Sequence, residues 1–439
     1  MYRNAIHAGV VCAATAFMLG GAFSGHALAQ ESGPTFSKDV APIFYEKCVT
    51  CHREGEVAPM SLITFREARP WARAIHEKVT TREMPPWHAD RRYGAFSNDL
   101  SLTQPEIDTI AAWVTSGALE GNPAELPPLP EFTEGWQIGT PDVVFEMPVA
   151  FEVPATGTVD YQYFDVPTGF TKDMWMQAGE VRPDDRQHVH HIVIYVKEPE
   201  PNNRPQVVSV KPILAEGQQL PRRLERASDD GRPRGGDAML VNWAVGEEPP
   251  VHAPGTAKRI PAGSTLIFNL HYTTDGEPGL DRSKLGLIFA DEPPAREVRT
   301  GLIANPLFEL PPGAANYEVA AEATFSDDVK VWTLHPHMHL RGKDMTYTVT
   351  YPDGRSEIIL SVPRFDFGWQ TDYYLAEPLL IPKGSKIHVS AHFDNSAANR
   401  DNPDPTAAVR WGDQTWEEMM IGFFTYTVEG QTAAKNSAQ

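Results

Sequence analysis

The sequence predicts a multidomain fold in which a small all-α domain precedes two antiparallel, jelly-roll-like β-sandwich domains. Three observations support this prediction. Thr103 and Glu106 form a capping-box pattern that opens a run of apolar residues at helical spacing. A Pro-rich segment then begins at Asn122. From Pro141 onward, short alternating segments separated by Pro, Gly and Asp turns replace the helical spacing, and about 290 residues of this kind fit two sandwiches better than one.

The chain begins with an export signal. Arg3 precedes an apolar, Ala- and Gly-rich run over residues 8–23, and Ala27-Leu28-Ala29 forms a cleavage site. We therefore predict a signal peptide at residues 1–29 and a periplasmic protein. No later apolar run reaches the roughly 20 residues of a membrane span, so we expect no span in the mature protein. The remaining predicted units are the all-α domain at 30–120, a Pro-rich linker at 121–140, β-sandwiches at 141–300 and 301–430, and a tail at 431–439.

Alternation of apolar and polar residues predicts the individual strands of the β region. Three of the clearest segments are His188–Val196, Ser264–Tyr272 and Lys386–Phe393. The formal net charge of −20 argues against nucleic acid and anionic membrane surfaces as partners, because a negative surface repels phosphate. The net charge does not argue for or against a small-molecule partner.

The cysteines of the mature chain lie in one motif, Cys48-Val49-Thr50-Cys51-His52. Two thiols at this spacing bond the vinyl groups of a porphyrin, and the adjacent histidine becomes the proximal iron ligand. A redox dithiol or half of a zinc site would not need that histidine. The motif predicts one covalent haem c, held by Cys48, Cys51 and His52.

A methionine is expected on the other side of the haem iron. Met84 is the preferred ligand, because it opens Met84-Pro85-Pro86 ahead of the capped helix. This arrangement resembles class I cytochromes c, in which a Met-Pro-Pro loop precedes the last helix. Met60 is the alternative, but only eight residues separate it from His52, and packing in a core is its expected role.

Histidines cluster at three places in the β region. Residues two apart in a strand share a face, so several imidazoles would point the same way. Imidazole combined with thioether suits copper, although zinc stays open for a site of three histidines alone. His388 and His392 also share a strand face and are expected to pack or to support a metal ligand. The three clusters are His188, His190 and His191; His271; and His335, His337 and His339.

Four motifs in this order resemble the type II copper, ascorbate-dependent monooxygenases, the family of peptidylglycine α-hydroxylating monooxygenase and dopamine β-monooxygenase. The resemblance covers about residues 141–430. The motifs are His190-His191 before an apolar strand, His271-Tyr272 at a strand end, His337-Met338-His339-Leu340, and Glu417-Glu418-Met419.

The resemblance implies two copper ions. His190, His191 and His271 would bind the electron-transferring ion, while His337, His339 and Met419 would bind the oxygen-activating ion. Met420 competes with Met419 as the thioether ligand. The implied reaction uses O2 and two electrons to convert a C–H bond of a small organic substrate to an alcohol, with the second oxygen atom leaving as water. The haem would relay electrons from a periplasmic donor or an ascorbate-like reductant.

This chain departs from the family at positions that bind the peptide substrate. Those positions read His335, Ile421 and Phe423 here, which favours a less polar substrate than peptidylglycine. His335 could be an extra ligand, a proton donor or a group supporting a ligand. An alternative function is a non-catalytic periplasmic haem–copper protein for electron transfer or copper binding. A third is an exported cytochrome whose β domains bind a carbohydrate or protein partner and no metal.

Overall fold

The computed structural model describes residues 33–199, 206–214 and 239–430 of the chain. The predicted signal peptide at 1–29 and the predicted tail at 431–439 lie outside the described residues. The fold is mostly β, with 38% strand and 12% helix.

All described helices are short and lie before the β region. Thr103 and Glu106 form the predicted capping box at the start of the longest helix, so that prediction is confirmed. None of the described helices is long and apolar enough to cross a membrane. The helices are α1 (Ala41–Lys47), α2 (Phe65–Ala68), α3 (Ala72–Thr80) and α4 (Gln104–Thr115), with a π-helical turn at Phe36–Val40 and 3-10 turns at Arg69–Trp71 and Pro123–Glu125.

The predicted all-α cytochrome c domain is wrong as a fold assignment, because no sizeable all-α domain is formed. Phe36, Phe44 and Trp113 do pack together between α1 and α4. The segment between α3 and α4, however, leaves this small core. Its Trp87 packs instead on Tyr373 of the β region, with ring centroids 5.0 Å apart. The aromatic residues of this region are therefore divided between its own small core and the core of the β sheets.

The described strands lie between residues 143 and 428. They are β1 (Val143–Glu146), β2 (Phe151–Val153), β3 (Gln162–Pro167), β4 (Met174–Arg182), β5 (Val189–Lys197), β6 (Val208–Ile213), β7 (Met239–Ala244), β8 (Thr256–Ile260), β9 (Thr265–Tyr272), β10 (Gly279–Asp281), β11 (Lys284–Phe289), β12 (Arg296–Ala304), β13 (Glu309–Leu310), β14 (Tyr317–Phe325), β15 (Val329–His337), β16 (Gly342–Thr350), β17 (Ser356–Val362), β18 (Tyr373–Ile381), β19 (Lys386–Phe393), β20 (Val409–Arg410) and β21 (Ile421–Val428).

One sheet runs through both halves of the β region, in the order β1-β11-β4-β8-β12-β21-β15-β18. β8 and β12 join the halves by parallel pairing of Thr256 with Arg296 and of Ala257 with Glu297. The prediction of two separate antiparallel sandwiches is therefore corrected. The predicted boundary at residue 300 falls within β12. The reason is physical: β12 offers unpaired backbone groups on one edge, and β8 satisfies them.

Two smaller sheets pack on the large one, and they carry His190, His191, His271, His388 and His392. The sheet β3-β9-β5-β7 packs on the first half through apolar residues such as Ile192, Phe268 and Leu285. The sheet β17-β16-β19-β14-β6 packs on the second half through residues such as Tyr347 and Val389. Strand alternation buries one face of each sheet and leaves the other face available for a site.

Candidate metal centre

A β-bulge brings His190 and His191 to the same side of their strand. Strand alternation alone would place neighbouring residues on opposite faces. In the pairing of β5 with β9, Val189 lies opposite Tyr272 while His191 lies opposite His271, so β5 contains one extra residue at this point. Such a bulge redirects a side chain. The result is a triangle of imidazoles whose ring centroids are 5.1 to 5.3 Å apart.

The donor atoms of this triangle fit a metal ion. One ring nitrogen from each of His190, His191 and His271 lies within 4.8 Å of the other two. The Nδ1 atoms of His190 and His191 are 3.1 Å apart, and the Nδ1 atom of His271 is buried without a hydrogen-bond partner. Burial first, and the nearby imidazoles of His190 and His339 second, lower the pKa of His271 to about 3. The rings are therefore neutral, as metal ligands must be.

The second predicted set lies where β15 ends. His337 is the last residue of β15, and its ring centroid is 5.2 Å from that of His339. In the pairing with β21, His335 lies opposite Phe423 and His337 lies opposite Ile421. His339 lies two residues beyond this pairing on one side, and Met419 lies two residues before it on the other. The paired strands therefore lead both residues away from the same end of the sheet.

Hydrogen bonds orient both imidazoles of this set. Nδ1 of His337 lies 2.5 Å from Oε1 of Gln370, and Nδ1 of His339 lies 3.2 Å from the backbone oxygen of Glu417. Each contact favours a proton on Nδ1 and leaves Nε2 as the ligand atom. Burial lowers the pKa of His337 to about 3 and that of His339 to about 4, so both rings are neutral.

The two neighbouring methionines occupy different environments. Met420 is fully buried in the large hydrophobic core of the second half. Met419 instead lines a cavity together with His337 and His339. This placement favours Met419 over Met420 as the thioether that faces the histidines.

Both histidine sets border one cavity of about 470 Å³. His191 of the first set lines it, as do His337, His339 and Met419 of the second. Positive charge on His337 or His339 would lower the pKa of His191, after the larger effects of burial and of the neighbouring imidazoles His271 and His190. The two sets are therefore close enough to influence each other electrostatically.

The loop between β17 and β18 contacts both histidine sets. No motif in the sequence indicated a role for this loop at the site. Its Phe367 stacks on His190 at 5.2 Å and lies 6.0 Å from both His271 and His339. Gln370 of the same loop holds His337. The only signal in the sequence is a short aromatic-rich stretch with no periodicity, and such a stretch does not indicate contact with residues far along the chain.

The predicted haem motif follows α1 directly. Nδ1 of His52 lies 3.2 Å from the backbone oxygen of Met60, which leaves Nε2 available for iron. Burial raises the pKa of Cys48 to about 12 and also raises that of Cys51. Neutral thiols of this kind do not suit a reactive redox dithiol. The residues present fit a covalent haem.

The two methionines proposed for the haem differ in packing. The side chain of Met60 packs on the core formed by α1 and α4. Met84 is half-buried and is not among the side chains that pack on that core. This difference agrees with Met84 as the axial ligand, which stays a prediction.

Three further histidines have structural partners away from both sets. Both ring nitrogens of His188 contact carboxylates, Nδ1 at 2.7 Å from Asp185 and Nε2 at 3.0 Å from Asp275. His392 contacts Asp344 across two neighbouring strands at 2.7 Å. His388 lies opposite Glu322 in the pairing of β14 with β19.

Comparisons with known proteins do not assign the chain to a family. No family model matches the chain, and no curated protein matches it. A solved structure of the Gt strain of infectious bursal disease virus aligns with 66% of this chain and 72% of that chain, at 12% identity and a TM-score of 0.17. An allantoicase from Saccharomyces cerevisiae aligns with 63% of this chain and 80% of its own, at 7% identity and a TM-score of 0.17. Similarity at this level carries no argument about fold or activity.

Proposed function

We propose that the protein is an exported haem–copper monooxygenase that hydroxylates a C–H bond of a small organic substrate with O2. The observation that carries this proposal is the convergence of both predicted copper ligand sets on one cavity. Copper held there would supply one-electron redox chemistry and reactivity toward O2. A ligand set of two imidazoles and a thioether favours the reduced ion, which is the form that reacts with oxygen.

The chain's own residues would position the ligands and the substrate. His337 and His339 keep fixed ring orientations through Gln370 and the Glu417 carbonyl. Ile421 and Phe423 line the cavity two and four residues beyond Met419, so an apolar surface lies beside the thioether. Such a surface would bind the hydrocarbon part of a substrate and exclude water from the ligands.

The haem residues lie against the β region. An ideal Cβ on Gly246 would be 3.7 Å from Sγ of Cys51 and 3.4 Å from the Trp369 ring, so the sulfur and the ring are neighbours across this turn. Trp369 adjoins Gln370, the partner of His337. Haem c bonded to Cys48 and Cys51 would supply a one-electron carrier near the cavity.

A metabolite screen with labelled dioxygen tests the proposal. The screen uses the purified holoprotein, and the copper and haem content of the same sample is measured. About two copper ions and one haem per chain, with label in one product, would support the enzyme. Two copper ions without labelled product would favour an electron-transfer or copper-binding protein. A chain that takes up no copper would favour a binding module and overturn the proposal.

We predict that copper stays bound on acidification to pH 5. Burial first, and neighbouring imidazoles second, lower the pKa of His271 and of His337 to about 3. For an imidazole with an ordinary pKa of about 6.5, protons would compete with the metal at pH 5 and would weaken its binding. The measurement is copper content after dialysis at pH 7 and pH 5, with circular dichroism as the control for folding. Half-release of copper from the folded protein near pH 6.5 would contradict the prediction.

We predict that Gln370→Leu weakens Cu(I) binding about 10- to 100-fold, because His337 loses the partner that orients its ring. Competition with a coloured Cu(I) chelator measures the affinity. Gln162→Leu is the matched control, since the Gln162 amide donates only to the exposed Asp160 carbonyl. Equal affinities for the two variants would show that Gln370 has no role in binding.

A further inference from the structure

A third group of ligand-type side chains lies beside the cavity and belongs to neither copper set. It consists of His335 on β15, Glu247 in the turn after β7, and Asp372 just before β18. One donor atom from each lies within 4.8 Å of the other two. Segments that are far apart in the sequence are thus brought to one point.

The contacts around this group orient the Glu247 carboxylate. Oε1 of Glu247 accepts a hydrogen bond from the backbone N–H of Asp372 at 3.0 Å. Oε2 accepts from the amide of Asn242 at 3.0 Å and from the backbone N–H of Ala244 at 3.1 Å. A carboxylate oxygen has two lone pairs, so each oxygen can accept these bonds and still bind a cation. Such supporting contacts are typical of metal ligands.

The imidazole of His335 faces the carboxylates without a well-aligned hydrogen bond. Its Nδ1 lies 3.0 Å from Oδ1 of Asp372, yet this buried nitrogen has no hydrogen-bond partner with acceptable geometry. Ligand atoms around one tetrahedral ion are close neighbours of this kind, with their lone pairs aimed at the ion and not at each other.

The two carboxylates of the group also favour the binding of a cation. Burial, followed by the nearby charge of Asp372, raises the pKa of Glu247. Contact with His335 outweighs burial and lowers the pKa of Asp372, and the same contact raises the pKa of His335. Two half-buried carboxylates at this distance repel each other unless a proton or a metal ion lies near them.

We propose that His335, Glu247 and Asp372 form a third metal site, which takes a divalent first-row ion that prefers oxygen ligands. One imidazole and two carboxylates are harder donors than the three histidines or the His–His–Met set. The ion would link the turn that lies beside Cys51, the strand that carries His337 and the loop that carries Gln370. Its role would be to hold these segments in place, and the site does not depend on copper at the other two sets.

Titration of the metal-free full-length protein with Mn(II), followed by electron paramagnetic resonance, tests this site, because Mn(II) selects oxygen donors. We expect one bound Mn(II) per chain, with at least ten-fold weaker binding in Glu247→Gln and in Asp372→Asn. Met419→Ala and His190→Ala should keep Mn(II), and Glu247→Gln should keep Cu(I).

The matched controls are Glu309→Gln and Asp353→Asn, which change exposed carboxylates that pair with arginines. Absence of Mn(II) binding by the folded wild-type protein would overturn the proposal and leave the group as a proton-sharing network. Mn(II) binding that is unchanged in both ligand variants would overturn it equally. Loss of hydroxylation activity alone would concern the proposed function and not this site, because Mn(II) binding is read independently.

Discussion

Replacing Met419 by Ala is expected to abolish O2-dependent product formation, with a loss on the order of 100-fold or more. Met419 lines the cavity with His337 and His339, and it lies two residues before Ile421, which pairs with His337. Without its thioether, the site loses the ligand that favours the reduced ion. The measurement is incorporation of labelled dioxygen into the product, together with Cu(I) stoichiometry, which should fall from two to about one per chain.

Met420→Ala is the matched control for this substitution. Met420 is fully buried in the core of the second half, so its truncation should lower the free energy of unfolding by about 2–5 kcal/mol. Its copper stoichiometry should remain two per chain. Equal incorporation of label by wild type and Met419→Ala would rule out Met419 as the ligand. Loss of copper from the folded Met420→Ala variant alone would reverse the assignment.

Replacing Glu418 by Ala is expected to lower the free energy of unfolding by about 3–5 kcal/mol. The Glu418 carboxylate is fully buried and accepts hydrogen bonds from the backbone N–H groups of His339, at 2.9 Å, and Arg341, at 2.6 Å. Its removal leaves two buried backbone donors unpaired. Chemical denaturation of the metal-free protein measures the loss.

Glu309→Ala is the matched control, because Glu309 forms an exposed ion pair with Arg410. Exposed pairs contribute roughly 0–1 kcal/mol, so this variant should unfold almost as the wild type does. Glu418→Ala should also weaken copper binding at His339, since it releases the segment that holds the ring. An unfolding free energy of Glu418→Ala within about 1 kcal/mol of the wild type would show that the carboxylate does not brace the site.

Short-range patterns predicted many of the elements correctly. The capping box at Thr103 depends on residues three apart, and the structure forms it. Lys386–Phe393 alternates apolar and polar residues, and it is β19 with the same bounds. Both outcomes depend on neighbours within one turn or one strand, where the local chain determines the conformation.

The domain architecture could not be predicted in the same way. Trp87 belongs to a segment between two helices, yet it packs on Tyr373, almost 300 residues later. β12 spans the boundary predicted between the sandwiches and pairs with β8. A strand pairs with one sheet edge and an aromatic ring packs in one core because of residues far away in the sequence. The periodicity of a short segment carries no information about such distant residues.

The sequence by itself determined the residue types of the candidate ligands and their order: the Cys48–His52 motif, the histidine clusters and the adjacent pair Met419 and Met420. Only the tertiary structure decided how they meet. A bulge turns His190 to the side of His191, Met419 and His339 line one cavity, and one irregular loop brings Phe367 and Gln370 to both sets. The physical reason is that residue spacing specifies side-chain direction only within a regular element. Bulges, register and loop packing are selected by hydrogen bonding and burial across the whole fold.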